Sequence, residues 1–220
     1  MRTDPRLNKW CKWLRIIEDD VGRLLSYRQI FSEVKTIAEQ NNKLDLSHPY
    51  FSFFVITYMD SAVMGIRRQA KPHRDSISLA GLLDEIVKNP QLITRSDHYE
   101  LYRNNDRYPQ TMLDRMRAQT FNEFASPESK IIDAVRVGND IQTLEEICKN
   151  VEDFADRRIA HWDEKEPLVD LNLEMIFQAL EKLESLIERY HLLFFAETKW
   201  ITPGLPSPVS DLFTEPWIVS

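Results

Sequence analysis

Glycine and cysteine are both scarce in this chain of 220 residues, which contains 5 glycines and 2 cysteines. So few glycines disfavour a fold rich in tight turns, and the many leucines, isoleucines, glutamates and arginines favour helices. The two cysteines, Cys11 and Cys148, are too few for a disulfide framework, and neither lies in a CxxC or Cys/His spacing typical of a metal site. We therefore expect a helical protein without a bound metal, in a reducing, cytoplasmic setting.

Several signatures of enzymes and of membrane proteins are also missing. The chain has no glycine-rich phosphate loop, no GxSxG and no dinucleotide-binding fingerprint, so we expect no cofactor. Residues 1–6 have no apolar core for a signal peptide. Residues 50–66 are apolar, but they are short for a membrane span and include Asp60, which would be costly at the centre of a bilayer. We expect this segment to form a buried central helix, and we expect no association with a membrane.

The net charge of −7 argues against a protein that coats nucleic acid through bulk electrostatics. The charge is uneven, since residues 67–117 have an excess of lysine and arginine and residues 145–197 an excess of aspartate and glutamate. This distribution is compatible with a local basic face or with ordinary solvated helix faces.

Apolar residues recur at three- and four-residue intervals through most of residues 1–201, which predicts a single all-α domain. We expect an antiparallel helical bundle of five to seven helices. The predicted helices cover residues 19–40 (beginning at 19 or earlier), 50–68, 77–88, 109–124, 127–162 and 170–197. The last of these carries a heptad pattern and should pack antiparallel against the preceding helix. Residues 91–108 show no clear period, and residues 202–220, which contain four prolines, form a Pro-rich tail.

One segment carries a chemical signal, at the end of the longest predicted helix. Residues 154–163 read FADRRIAHWD. Arg157 and His161 are four residues apart and share a face on a helix. A histidine beside a fixed cation can transfer a proton while the cation holds a phosphate.

The string from Asp156 to His161, followed by Asp163, resembles the signature of HEPN domains, and most closely that of the bacterial abortive-infection type. The Ala-His-x-Asp ending is frequent in that branch. The resemblance implies an antiparallel helical bundle that dimerises through the helix carrying the motif. It also implies a role in bacterial defence or a toxin–antitoxin system, with RNA, an antitoxin or another protein as partner.

Active HEPN proteins are metal-independent endoribonucleases, and the resemblance assigns roles on that basis. His161 would act as general acid or base on the ribose 2′-hydroxyl or the leaving oxygen. Arg157 or Arg158 would hold the scissile phosphate and offset its developing charge. Asp156 would orient the site, and two-fold symmetry would bring both copies of the motif to one cleft.

The chain departs from the HEPN pattern at Ala155, which occupies the position of the family's arginine. Alanine can neither bind phosphate nor stabilise charge, so RNase activity does not follow from the resemblance. The alternative is a non-catalytic helical dimerisation or interaction protein. In that alternative Arg157 and Arg158 pair with nearby carboxylates (Asp153, Glu152 or Asp156), and His161 lies at the helix C-terminus, where the dipole favours a cation.

Overall fold

The computed structural model describes residues 4–41, 45–72, 75–103, 105–160, 164–167, 169–199, 201 and 209. These residues form seven α-helices, which confirms the predicted all-α bundle. The helices are α1 (Pro5–Gln40), α2 (Pro49–Ala70), α3 (Leu79–Lys88), α4 (Arg95–Glu100), α5 (Gln110–Phe124), α6 (Ala134–Phe154) and α7 (Leu173–Phe195). A short 3₁₀ turn at Pro90–Leu92 follows α3, and a π-helical turn at Ala155–Ile159 continues α6.

Most helices begin at a residue whose side chain accepts a hydrogen bond from a free backbone N–H of the first turn. The N-caps of this kind are Asp4, His48, Ser78, Thr94, Asp133 and Asn172. Each cap satisfies a backbone donor that the helix itself cannot pair. Helix α1 begins at Pro5 and spans 36 residues, which agrees with the prediction of a start at residue 19 or earlier.

Two pairs of helices form the centre of the bundle. Helix α1 packs on α2 and α7, and α6 packs on α2, α3 and α7. Helices α1 and α2 run antiparallel, because Arg68 contacts Asp20 while Tyr58 stacks on Phe31. One apolar core fills the space between these helices and includes residues from Leu7 to Ile201. The predicted heptad of α7 faces this core, with Ile176, Leu180, Leu183, Ile187, Tyr190 and Phe194 all buried.

Helix α2 is only partly the buried central helix that its composition predicts. Its C-terminal half is buried, including Val63 and Ile66. Its N-terminal half leaves Tyr50, Phe53 and Ile56 exposed by 81%, 68% and 57%. The apolar circumference of this segment therefore exceeds what the bundle covers.

The segment after Ser126 is not the start of a helix, contrary to the prediction. It makes turns and an isolated antiparallel bridge between Thr94 and Ile131, and α6 begins only after the cap Asp133. The backbone N–H of Asp133 donates to the carbonyl of Phe124 at 2.7 Å, which holds this segment against the end of α5. Tertiary hydrogen bonds outweigh the local signal of Pro127 as a first helical residue.

Part of the segment for which the sequence showed no clear period forms α4. His98 lies on this helix and is 1% exposed, and its Nδ1 is 2.9 Å from the carbonyl oxygen of Leu193. His98 is therefore a buried helical residue of the core.

Most of the predicted tail, residues 202–208 and 210–220, lies outside the described residues, and the division between a domain of residues 1–201 and a tail stays a prediction. Among the helices described here, none is both long and apolar enough to cross a membrane.

Candidate functional site

The HEPN-like motif lies on the π-helical turn at the end of α6. The backbone N–H of Ala160 donates to the carbonyl of Ala155 at 2.8 Å, five residues back instead of four. Such turns insert one extra residue into a helix and often occur at functional sites. Along this turn, side chains four residues apart do not share a face as they do in a regular α-helix.

The two motif arginines both bind carboxylates of the same chain. Nε of Arg157 donates to Asp153 at 2.7 Å, one of the partners expected in the non-catalytic alternative. Arg158 pairs with Glu166 and also donates to the carbonyl oxygen of Arg157 at 3.2 Å. Their side chains are 23% and 16% exposed, so each guanidinium is largely covered. A phosphate would have to displace these carboxylates to reach either guanidinium.

Asp156 faces α2 and joins the motif to that helix. Nε of Arg67 donates to its carboxylate at 2.6 Å, and Nζ of Lys71 lies 3.8 Å from the other oxygen. Lys71 also donates to Glu152 at 2.9 Å, and this hydrogen bond raises the pKa of Lys71. Burial raises the pKa of Glu152, whose Oε1 is buried without a hydrogen-bond partner among the described residues. The four charged groups form an ion-pair cluster between α2 and the π turn.

Ala155 is fully buried and belongs to the apolar core. The position of the family arginine therefore faces the interior of the bundle in this chain. Replacing it by arginine would bury an unpaired cation and overfill the core. An Ala155→Arg variant, which restores the family residue, would therefore test the packing of the core and not the recovery of a catalytic group.

Three of the four predicted site residues, Asp156, Arg157 and Arg158, follow one another on the π turn, but each binds a different partner. His161, the predicted general acid or base, lies outside the described residues. Its assignment, and the catalytic roles of the other three, stay predictions.

A second polar cluster was not anticipated from the sequence. Glu18 of α1 has a side chain that is 1% exposed, and its two oxygens bind different partners. Nδ1 of His191 lies 2.6 Å from Oε1, and Nζ of Lys199 donates to Oε2 at 2.6 Å. Burial by itself would raise the pKa of Glu18, but the hydrogen bonds and charges of His191 and Lys199 outweigh it and lower that pKa. His191 is separated from Glu18 by 173 residues, so no local spacing could reveal the pair.

Asp20, two residues further along α1, is held in a similar way. Arg68 donates to both oxygens of its carboxylate, at 2.8 and 2.9 Å, and Gln69 donates at 2.7 Å. Burial would raise the pKa of Asp20, but these bonds lower it overall. An open cavity of about 790 Å³ is lined by Glu18, Asp20 and Lys199, and one of about 430 Å³ by Glu18, His191 and Lys199. Each carboxylate is already neutralised, so the two clusters join helices instead of leaving a reactive group free.

Metal chemistry finds no site in the described part of the chain, where no group of three or more His, Cys, Asp or Glu side chains is arranged to hold an ion.

Comparison of the chain with known protein families, with curated proteins and with solved structures finds no match. The resemblance to HEPN domains thus depends on the motif string and its helical setting.

Proposed function

We propose that this chain is a HEPN-like helical protein that acts by binding a protein partner and does not cleave RNA. The observation that carries the proposal is the pairing of Asp156, Arg157 and Arg158 within the chain. A phosphate-binding site keeps at least one guanidinium free for the anion, since bidentate contact with phosphate is what arginine supplies. Here both motif guanidiniums already bind a carboxylate.

The ion pairs give the motif residues a structural role, which is to connect the π turn to neighbouring segments. Asp156 connects the π turn to Arg67 and Lys71 of α2, and Arg158 connects it to Glu166 in the α6–α7 connection. A charged joint of this kind holds the end of α6 in register with its neighbours. Its residues can resemble a catalytic motif and still serve only to hold the fold.

The uncovered apolar surface on α1 and α2 supports a binding role. Soluble monomers rarely leave several large apolar side chains adjacent and exposed unless another molecule covers them. Tyr27, Tyr50, Phe53 and Ile56 are all exposed by 46% or more on these two helices. Partner binding gives this surface a function that RNA cleavage would not.

Metal-independent RNA cleavage at His161 is the second candidate, and the π turn is the observation that favours it. In that case the ion pair between Arg158 and Glu166, whose side chain is 84% exposed, would break, and Arg158 would bind the scissile phosphate. His161 would then transfer the proton at the 2′-hydroxyl or the leaving oxygen.

A cleavage assay separates the two candidates. Wild type, His161→Ala and Arg158→Ala are incubated with mixed single-stranded RNA in the presence of EDTA. We expect no cleavage above the level of a no-protein sample in any of the three. Cleavage by wild type that is lost in both variants would overturn the proposal and establish the RNase. Arg103→Ala is the matched control, because Arg103 is an exposed arginine that pairs with Glu100 far from the motif in sequence.

A further inference from the structure

The cavity of about 430 Å³ beside Glu18 is lined by His191, which has one ring nitrogen left over. Nδ1 of this imidazole lies 2.6 Å from Oε1 of Glu18, and His191 is 7% exposed. Its Nε2 makes no hydrogen bond with a described residue, yet it is not among the side-chain atoms that are sealed from solvent without a partner. A polar atom of a deeply buried side chain therefore opens into this cavity.

The Glu18 carboxylate fixes which nitrogen of the imidazole carries the proton. Burial would raise the pKa of Glu18, but its hydrogen bonds with His191 and Lys199 lower it overall, so the carboxylate is ionised at neutral pH. A carboxylate can only accept a hydrogen bond, so Nδ1 of His191 must donate. In the neutral ring Nε2 is then an acceptor, which suits a ligand that donates from an ammonium or a hydroxyl group.

Two opposite charges on α1 line the same cavity and do not pair with each other. Arg15 and Asp19 are four residues apart, a spacing at which arginine and aspartate can form an ion pair. The guanidinium of Arg15 instead lies over the ring of Phe195, with Cζ 5.1 Å from the ring centroid. Within the described part of the chain neither charge has an ionic partner, and both side chains are exposed. The cavity wall thus presents a cation and an anion about one helical turn apart.

The segment that completes the cavity has an uncommon backbone conformation. Ala196 follows α7 with φ of 55° and ψ of 28°, and among the described residues other than glycine it is the one with a positive φ. Glu197 and Lys199 come directly after it and line the cavity, and Lys199 donates to Glu18. A left-handed alanine costs free energy, and such residues are concentrated at ligand sites.

We propose that this cavity binds a small zwitterion of the α-amino acid type. The carboxylate of the ligand binds the guanidinium of Arg15, which can hold it with two N–H donors. The ammonium group of the ligand donates to Nε2 of His191, and the carboxylates of Asp19 and Glu197 offset its charge. A simple anion would face those two carboxylates, and a simple cation would face Arg15 and Lys199, so a ligand with both charges fits the site best.

The volume of the cavity agrees with a ligand of this size. Small-molecule sites span roughly 300–1,000 Å³, and this cavity lies near the lower limit. The site is separate from the motif and from the apolar surface of α1 and α2. It therefore goes beyond the proposed binding of a protein partner and does not depend on it.

Isothermal titration calorimetry of the full chain with each of the standard free amino acids tests the proposal. The amino acid that binds most tightly is then compared with an analogue that lacks its ammonium group and with one that lacks its carboxylate. The variants are Arg15→Gln and Asp19→Asn, and circular dichroism verifies that each keeps its helices. Arg28→Gln is the matched control, because Arg28 also lies on α1 over a phenylalanine ring, at 5.6 Å, but about 20 Å further along the helix.

We expect at least one amino acid to bind with a dissociation constant below about 1 mM, and both analogues to bind about tenfold or more weakly. Arg15→Gln should weaken binding about tenfold or more, and Asp19→Asn about three- to tenfold, through the loss of charged contacts. Arg28→Gln should bind as wild type does. Absence of binding by every amino acid would overturn the proposal, and so would equal binding of the analogue without the ammonium group.

Nuclear magnetic resonance of protein labelled with ¹⁵N-histidine reports on the cavity without a substitution. The Nε2 signal of His191 should shift when the amino acid that binds most tightly is added, while the signals of the other histidines stay in place. Binding that leaves the Nε2 signal of His191 unchanged would overturn the assignment of the ligand to this cavity.

Discussion

Removal of the Glu18 carboxylate tests how strongly the C-terminal end of α7 is held on α1. Glu18 lies on α1, and its partners His191 and Lys199 lie on α7 and just beyond it. The variant Glu18→Ala deletes both hydrogen bonds and leaves the imidazole facing a small void. Helix α7 then loses a charged connection to α1, although the apolar contacts between the two helices remain.

The magnitude follows from the burial of the three groups. Breaking a fully buried ion pair by removing one partner costs about 3–5 kcal/mol. The Lys199 side chain is 41% exposed and can be hydrated after the change, so the cost lies toward the lower end. We expect Glu18→Ala to lower the free energy of unfolding by about 3 kcal/mol and Tm by roughly 6–12 °C for a chain of this size. Glu18→Gln keeps a hydrogen-bond acceptor and should lose about half as much.

Urea unfolding followed by circular dichroism measures these differences. Asp19→Ala is the matched control, because it removes the neighbouring carboxylate of α1, which is exposed. The control should remain within about 0.5 kcal/mol of wild type. Equal losses in Glu18→Ala and Asp19→Ala would refute the reasoning, since they would mean that burial and pairing of Glu18 contribute nothing.

Further predictions concern acid stability, the glycines and the cysteines. The pKa of Glu18 is below its ordinary value of 4.5, so the stability that its charged form contributes is complete above pH 4.5 and is lost as the pH falls through the lower folded-state pKa. The difference in free energy of unfolding between wild type and Glu18→Gln should therefore narrow below about pH 4.5. A difference that stays constant in acid would contradict this prediction. Gly65→Ala should lower the free energy of unfolding by about 1–2 kcal/mol, because an added Cβ would meet δ-carbons of Leu24 at 2.5 Å. Gly138→Ala should raise the free energy of unfolding by about 0.5–1 kcal/mol, since an added Cβ there meets nothing within 4 Å. Urea unfolding measures the stability of both glycine variants. Changes of the same sign in the two variants would be evidence against the packing of α1 on α2. A thiol reagent should modify the folded protein at the partly exposed Cys11 and spare the fully buried Cys148, whose pKa burial raises to about 12; equal labelling rates at the two positions would disprove the burial of that face of α6.

Local patterns in the chain were sufficient for much of the fold. Pro49 begins α2 and Phe124 ends α5, as the proline and the apolar spacing predict. The heptad of α7 faces the core as expected. These features depend on side chains within a few positions of each other, which a sequence displays directly.

The predictions from the sequence failed where contacts with distant segments outweigh a local signal. Pro127 has the features of a first helical residue, but hydrogen bonds to the α4 and α5 segments hold residues 126–133 in an extended, turning path. The π turn also escaped prediction, because an inserted residue leaves the apolar period of a helix almost unchanged.

The candidate site was likewise predictable from the sequence only in part. The motif string identified Asp156, Arg157 and Arg158 as a charged group on a helix end, and the pair between Arg157 and Asp153 follows from four-residue spacing. The pairing of Asp156 with Arg67 spans 89 residues, and no pattern in the sequence indicates it. Burial of Ala155 was equally invisible, since an alanine is compatible with either side of a helix.

By itself, the sequence determined that this protein is a bundle of helices with a leucine-rich interior, because helix period, caps and breakers act over one or two turns. Only the tertiary structure decided which charges neutralise one another and which apolar side chains remain uncovered. Both outcomes depend on which helices become neighbours, so the paired arginines of the π turn and the uncovered apolar surface of α1 and α2 arise only when the whole chain has packed.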